Sequence, residues 1–189
     1  MKKLVAVFGP SDVSESDMLY REAERLGALL ATAGFAVVTG GYDGVMEAAS
    51  KGARGSDGQA IGITAEVYYA RGREANQHIT REVRVKSATD RLMELLDLPD
   101  AFIAIGNSTG TLAEIVMAWD YITKEFLPQK PILLIGESWK GFMEYVQRER
   151  AFMPYVHFVH YCPSAEDALH VLLEKFGHQQ TLPELEILK

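Results

Sequence analysis

The chain has 189 residues, 48% of them apolar and 24% charged, the balance of a globular protein with room for one ordinary core. A formal net charge of −7 disfavours non-specific binding to DNA, RNA or anionic lipid. Cys162 is the single cysteine, which excludes an internal disulfide, and the opening apolar run is too short for a signal core or a membrane span, so a cytoplasmic protein is expected.

In chain order, "LVAVF" (Leu4 to Phe8) reads as a buried strand, apolar on both faces and ended by Gly9-Pro10. Ser14 or Ser16 can cap the helix that follows, in which Tyr20, Ala23, Leu26, Leu30 and Ala33 recur at helical spacing until Gly34. "FAVVTGG" is a second strand leading to a helix from about Val45 to Gly52, and "QAIGI" is a third strand. Thr64 to Ile79 is polar and aromatic without periodicity and reads as a long loop over the active face. "REVRV" is a short strand before a helix from about Ser87 to Leu96. "DAFIAI" and "PILLI" are buried strands flanking a helix from Thr109 to Phe126. "VHFVHYC" is a last strand and Ala165 to Phe176 a last helix. This alternation predicts a Rossmann-like, doubly wound parallel sheet with helices on both faces, spanning residues 1–178, with a tail over 179–189. Such sheets bind ligands beyond the carboxyl ends of their strands.

Two glycine-bearing loops lie at such ends. In "VVTGGYDGVMEAA", Gly40 and Gly41 allow a tight turn and close approach to a ligand, and Gly44 enters the helix, whose N-terminus can hold an anion. The pattern lacks the Gly-Lys-Ser/Thr of a Walker loop, and a turn that merely needs glycines would look the same. In "AIGNSTGTLAEI", Ser108, Thr109, Gly110 and Thr111 offer N–H donors and three hydroxyls at one helix start. Glu114, three residues after Thr111, returns toward that end, where it serves chemistry beside an anion or closes a capping box with Thr111. Arg91 sits one turn into the preceding helix.

These motifs resemble the LOG family, phosphoribohydrolases often mislabelled lysine decarboxylases. "VFGPSDVSESDMLYREAERLGALLATAGFAVVTGGYDGVMEAA" is similar to the family's opening, with its Gly-Ser-Ser after strand one and "GGGxxGLMG" after strand two. Arg91 followed by "DAFIAIGNSTGTLAE" is similar to the family's arginine followed by "DAFIALPGGxGTxxE". The resemblance runs from about Val5 to Ile135. Here the family's Pro-Gly-Gly is Gly106-Asn107-Ser108, its Gly-Ser-Ser is Gly9-Pro10-Ser11, the lysine after the arginine is Leu92, and the first glutamate of its pair is Ala113.

The resemblance implies cleavage of the N-glycosidic bond of a purine nucleoside 5′-monophosphate, AMP or a cytokinin riboside monophosphate, with no metal and no redox cofactor. It places catalysis on Arg91 and Glu114. Substrate and phosphate contacts fall to Gly9, Ser11, Gly40, Gly41, Gly44, Asn107, Ser108, Thr109, Gly110 and Thr111. It also implies a homodimer built around the helix starting near Thr109, a helix whose Ile115, Val116, Met117, Trp119, Tyr121 and Ile122 exceed one core-facing stripe. The alternative is a carrier of the same fold that binds a nucleotide or the molybdenum cofactor without cleaving it. Single-stranded DNA binding, known for a related fold, is opposed by the acidic charge. His157 and His160, read as lying on one strand, face opposite sides there and make a poor metal pair. Cys162 reads as a small core residue.

Overall fold

The computed structural model describes residues 2–177, so the tail over 179–189 lies outside the described residues. The elements follow one another as β1 (Leu4–Phe8), α1 (Met18–Thr32), β2 (Ala36–Thr39), α2 (Val45–Gly55), β3 (Ala60–Ala65), α3 (Glu66–Tyr69) and β4 (Arg81–Val85). The second half continues as α4 (Ala88–Asp97), β5 (Ala101–Ile105), α5 (Thr109–Thr123), β6 (Ile132–Ile135), α6 (Lys140–Arg148), β7 (Val159–Cys162) and α7 (Ala165–Phe176). Seven strands form one parallel sheet in the order β4-β3-β2-β1-β5-β6-β7. This is the expected Rossmann-like α/β fold.

The strands are apolar runs because both faces are covered. Val5, Val7, Ile103 and Ile105 pack under α1, α2 and α7, while Ala6, Phe8, Phe102 and Ala104 pack under α4, α5 and α6. The two edge strands break the rule: β7 leaves His160 and Tyr161 half-buried, and β4 exposes Arg81, Glu82 and Arg84, which discourages edge-to-edge pairing. Cys162 is buried in the first core, where burial pushes its thiol up to about 11.

Strand order creates the crevice. β1 pairs with β2 on one side and β5 on the other, so the chain leaving β1 and the chain leaving β5 turn in opposite directions. Parallel sheets open a ligand cleft at such a reversal.

Several local expectations are corrected. Neither Ser14 nor Ser16 caps α1: its N-cap is Asp17, whose carboxylate instead accepts from the Ser14 N–H and hydroxyl at 2.7 and 2.9 Å. The long loop is shorter than expected, because Thr64 and Ala65 extend β3 and Glu66–Tyr69 forms α3. Helix α5 ends at Thr123 rather than Phe126, as Glu125 turns to φ 61°. The last strand begins at Val159, since Val156–Phe158 forms a 3-10 turn; His157 therefore lies off the strand that carries His160. Helix α6 was not anticipated. Its Met143 and Val146 are buried against the second core, but they are too sparse to announce a stripe in the sequence.

Candidate functional site

The start of α5 is built around one glycine and one serine. Gly106 takes φ +66° as the chain leaves β5, a conformation that side chains rarely adopt, so glycine is kept where the turn demands it. Asn107 and Ser108 both have ordinary backbone, and Ser108 (φ −151°) is the N-cap. Its Oγ accepts from the Thr111 N–H at 3.2 Å and lies 2.9 Å from Thr111 Oγ1. The capping box expected between Thr111 and Glu114 does not form, because the cap is Ser108 and the third helical residue is Thr111. Glu114 is thereby left out of the cap. With the Thr111 N–H taken by Ser108 Oγ, the N–H groups of Thr109 and Gly110 remain without intrahelical acceptors, and the positive end of the dipole faces the cleft.

Arg91 is held from several sides. Helix α4 starts with a capping box in which Ser87 Oγ accepts from the Asp90 N–H at 3.0 Å and Asp90 accepts from the Ser87 N–H at 3.1 Å. At its other end the carbonyls of Leu96 and Asp97 accept from buried Lys130 Nζ, each at 2.8 Å. Arg91 Nε donates to the Ile63 carbonyl at 2.8 Å and Nη2 to the Gly40 carbonyl at 2.9 Å, with Met46 Sδ 3.6 Å away. The guanidinium lies 5.3 Å from the Tyr42 ring centre and 5.6 Å from that of Tyr68. Gly40 is required by this close approach: a Cβ there would overlap Nη2. Nη1 takes no protein partner among the described residues and is free to hold a ligand oxygen.

Both loops and both side chains meet in one cavity of about 180 Å³. Of the residues expected there, Arg91, Glu114, Gly9, Ser11, Gly40, Ser108, Gly110 and Thr111 line it. Four do not. Gly41 and Gly44 shape the loop behind it, with φ of +77° and +68° and the Gly41 N–H bonded to Thr39 Oγ1 at 3.1 Å. Asn107 is exposed and its amide reaches the Ser138 carbonyl at 3.4 Å, and Thr109 is exposed on the helix. The wall also contains Tyr42, Met46, Tyr68 and Arg73, which the sequence reading did not single out. Only the position of the 64–79 segment after a strand end hinted at Tyr68 and Arg73.

Glu114 sits half-buried among these groups. Burial penalises its carboxylate and raises its pKa to about 7, against the lowering influence of the Arg91 charge. A carboxyl that exchanges its proton near neutrality can serve as either acid or base. Among the described residues no group of three or more His, Cys, Asp or Glu side chains could hold a metal ion, and no helix is long and apolar enough to cross a membrane.

A family model for the SLOG cluster4 family matches residues 2–152. The chain belongs to that family. An uncharacterized protein from Archaeoglobus fulgidus is 30% identical over 114 residues, 60% of this SLOG chain and 72% of the relative. A cytokinin riboside 5′-monophosphate phosphoribohydrolase from Mycobacterium tuberculosis is 30% identical over 142 residues, 73% of this chain and 72% of the relative. Among solved structures, the molybdenum cofactor binding protein of Rippkaea orientalis superposes with a TM-score of 0.76 at 23% identity, over 94% of this chain and 99% of the other. At that identity the superposition speaks for the fold.

The raised pKa of Glu114 has a consequence for stability. Its folded value of about 7 lies above the ordinary 4.5, so the unfolded chain releases this proton first and stability falls as pH rises between the two. The Glu114→Gln variant lacks that loss. In denaturant titrations its stability relative to the parent should rise between about pH 4 and about pH 8, by at most about 3 kcal/mol. A difference that is flat with pH would place the Glu114 pKa near the ordinary value.

Proposed function

We propose that this cleft binds a purine nucleoside 5′-monophosphate and hydrolyses its N-glycosidic bond, giving free base and ribose 5-phosphate. The observation that carries this reading is the Glu114 carboxyl, left out of the α5 cap and sharing a cavity with Arg91. The similarity to the phosphoribohydrolase from Mycobacterium tuberculosis supports it. In this reading the phosphate lies at the start of α5, on the N–H groups and the hydroxyls of Ser108 and Thr111. Arg91 Nη1 holds a phosphate or ribose oxygen, and the rings of Tyr42 and Tyr68 flank the planar base.

Cleavage breaks the bond between C1′ and the base nitrogen while positive charge develops on C1′ and the ring oxygen. The Glu114 carboxylate stabilises that charge and accepts a proton from the water whose oxygen bonds to C1′. The departing base takes a proton from solvent on a ring nitrogen, and Glu114 gives the proton it took from the water back to solvent, which balances the step. The carboxylate form is the active one, so kcat/KM rises with pH through about 7.

Incubated with AMP, the protein should release adenine. Glu114→Gln should keep nucleotide binding and lower turnover by roughly a hundredfold or more, the scale of a lost acid–base group, and should lose the rising limb of the pH profile. Arg91→Ala should impair both binding and turnover. Unchanged turnover in Glu114→Gln would remove the carboxylate from the mechanism.

A second reading draws on the likeness to the molybdenum cofactor binding protein, over nearly the full chain. There the same cleft holds a phosphorylated pterin as cargo and cleaves nothing. Intact AMP after prolonged incubation, with tight binding of the pterin, would favour it.

Assembly belongs to the same proposal. Of the apolar residues on α5, Ile115, Trp119 and Ile122 are buried within the chain, but Leu112 and Val116 are 42% and 44% exposed, one turn apart. With Tyr155, 42% exposed and lining the same surface cavity as Val116, they form the face on which a second copy packs. Sedimentation at micromolar concentration should show a dimer, and Val116→Glu should dissociate it. A monomeric parent chain would contradict this.

A further inference from the structure

Residues 66–79 form a strap beside the cavity, and two anchors fix it. At the sheet edge, Tyr69 Oη donates to Glu82 Oε1 at 2.8 Å and accepts from the Ala75 N–H at 3.2 Å. The same Glu82 oxygen accepts from the Thr64 hydroxyl at 2.5 Å and from Arg84 Nε at 3.0 Å, and the Arg84 guanidinium lies 3.8 Å over the Tyr69 ring. At the inner side, buried Asn76 donates its N–H to the Gly41 carbonyl at 2.9 Å and its Nδ2 to the Tyr42 carbonyl at 3.0 Å. Between the anchors the chain turns at Gly72 (φ +78°), and the Arg73 N–H donates to the Tyr68 carbonyl at 3.0 Å. A short segment is thus tied at both ends, with Arg71 and Arg73 flanking Gly72 at its tip, and of the two it is Arg73 that lines the cavity.

Arg73 has no structural work that would explain it. Its side chain is exposed, lines the cavity, and takes no carboxylate or other hydrogen-bond partner among the described residues. The cavity wall holds two arginines, Arg73 and Arg91, against one carboxyl, Glu114, in a chain whose net charge is −7. Positive charge concentrated in a cleft of an acidic protein favours an anionic ligand. A guanidinium presents paired donors that match phosphate oxygens.

We propose that Arg73, presented by the strap that Tyr69 and Glu82 anchor, is a specificity-determining residue that selects phosphorylated nucleosides over nucleosides. The proposal rests on the nucleotide-binding reading of the cleft. Arg73 makes the phosphate contact itself. Glu82 is a positioning residue that acts through Tyr69.

Calorimetric binding of AMP and of adenosine, in the Glu114→Gln background to suppress turnover, tests this. Arg73→Gln should weaken AMP by about 10- to 100-fold, the loss of a charge-assisted hydrogen bond, and leave adenosine within about twofold. Arg73→Lys should recover part of the preference. Glu82→Gln should weaken AMP in the same direction and speed amide hydrogen exchange across residues 66–79. AMP affinity unchanged by Arg73→Gln, or AMP and adenosine weakened equally, would overturn the proposal, as would an absence of AMP binding altogether. Selective AMP binding that depends on Arg73, in a parent protein that releases no adenine, would uphold this proposal while removing the hydrolase reading.

Discussion

The Arg91 guanidinium joins the carboxyl ends of two neighbouring strands to α4. One nitrogen bonds the carbonyl of Ile63 on β3, another that of Gly40 after β2, and the side chain issues from the first turns of α4. The guanidinium can lie against the loop after β2 because Gly40 has no side chain where Nη2 sits. Both strand ends, the loop and α4 therefore depend on one charged group kept at the cleft wall. Two of its donors are committed to backbone, so what remains is a fixed cation at the cavity wall with Nη1 unpartnered among the described residues. Replacing it would leave two carbonyls at the strand ends without their donor, a structural cost as well as a chemical one.

Against that fixed charge, Glu114 is placed by what it does not do. Ser108 fills the cap of α5, so the glutamate one turn later owes nothing to the helix start. Burial and the nearby arginine pull its proton affinity in opposite directions and leave it near neutrality, where a carboxyl is most versatile. The Gly106-Asn107-Ser108 sequence fits this arrangement. Positive φ falls on Gly106 alone, Asn107 points to solvent toward Ser138, and Ser108 supplies a hydroxyl to the cavity. The side chains added at this loop therefore do not close the cleft.

The sheet was legible because its strands are covered on both faces. Runs such as "DAFIAI" and "PILLI" have few other readings, and the alternation with helices implies the parallel order. Arg91 and Glu114 stood out through the resemblance to the LOG family rather than through their spacing alone, and the structure brings them to one cavity. What escaped was set by tertiary contacts. Asp17 rather than a serine precedes α1, with Ser14 bonded to Asp17 and to the Ser16 hydroxyl instead. The strap gives no periodic signal, since its order comes from Glu82 and Asn76 rather than from an apolar face. Tyr68 and Arg73 were therefore hidden, although the placement of the segment over the active face was not. The apolar excess on α5 was overcounted, because α6 and the Phe152 region cover Trp119 from outside the sheet.

In the proposed function one cleft holds a phosphate at the start of α5 and a scissile bond beside Glu114. A crystal structure of the Glu114→Gln variant with AMP tests it most directly. The phosphate should lie within hydrogen-bonding distance of Ser108 or Thr111, with C1′ facing residue 114 and Arg91 Nη1 on a ribose or phosphate oxygen. AMP bound elsewhere, or a cleft left empty at saturating AMP, would contradict the account.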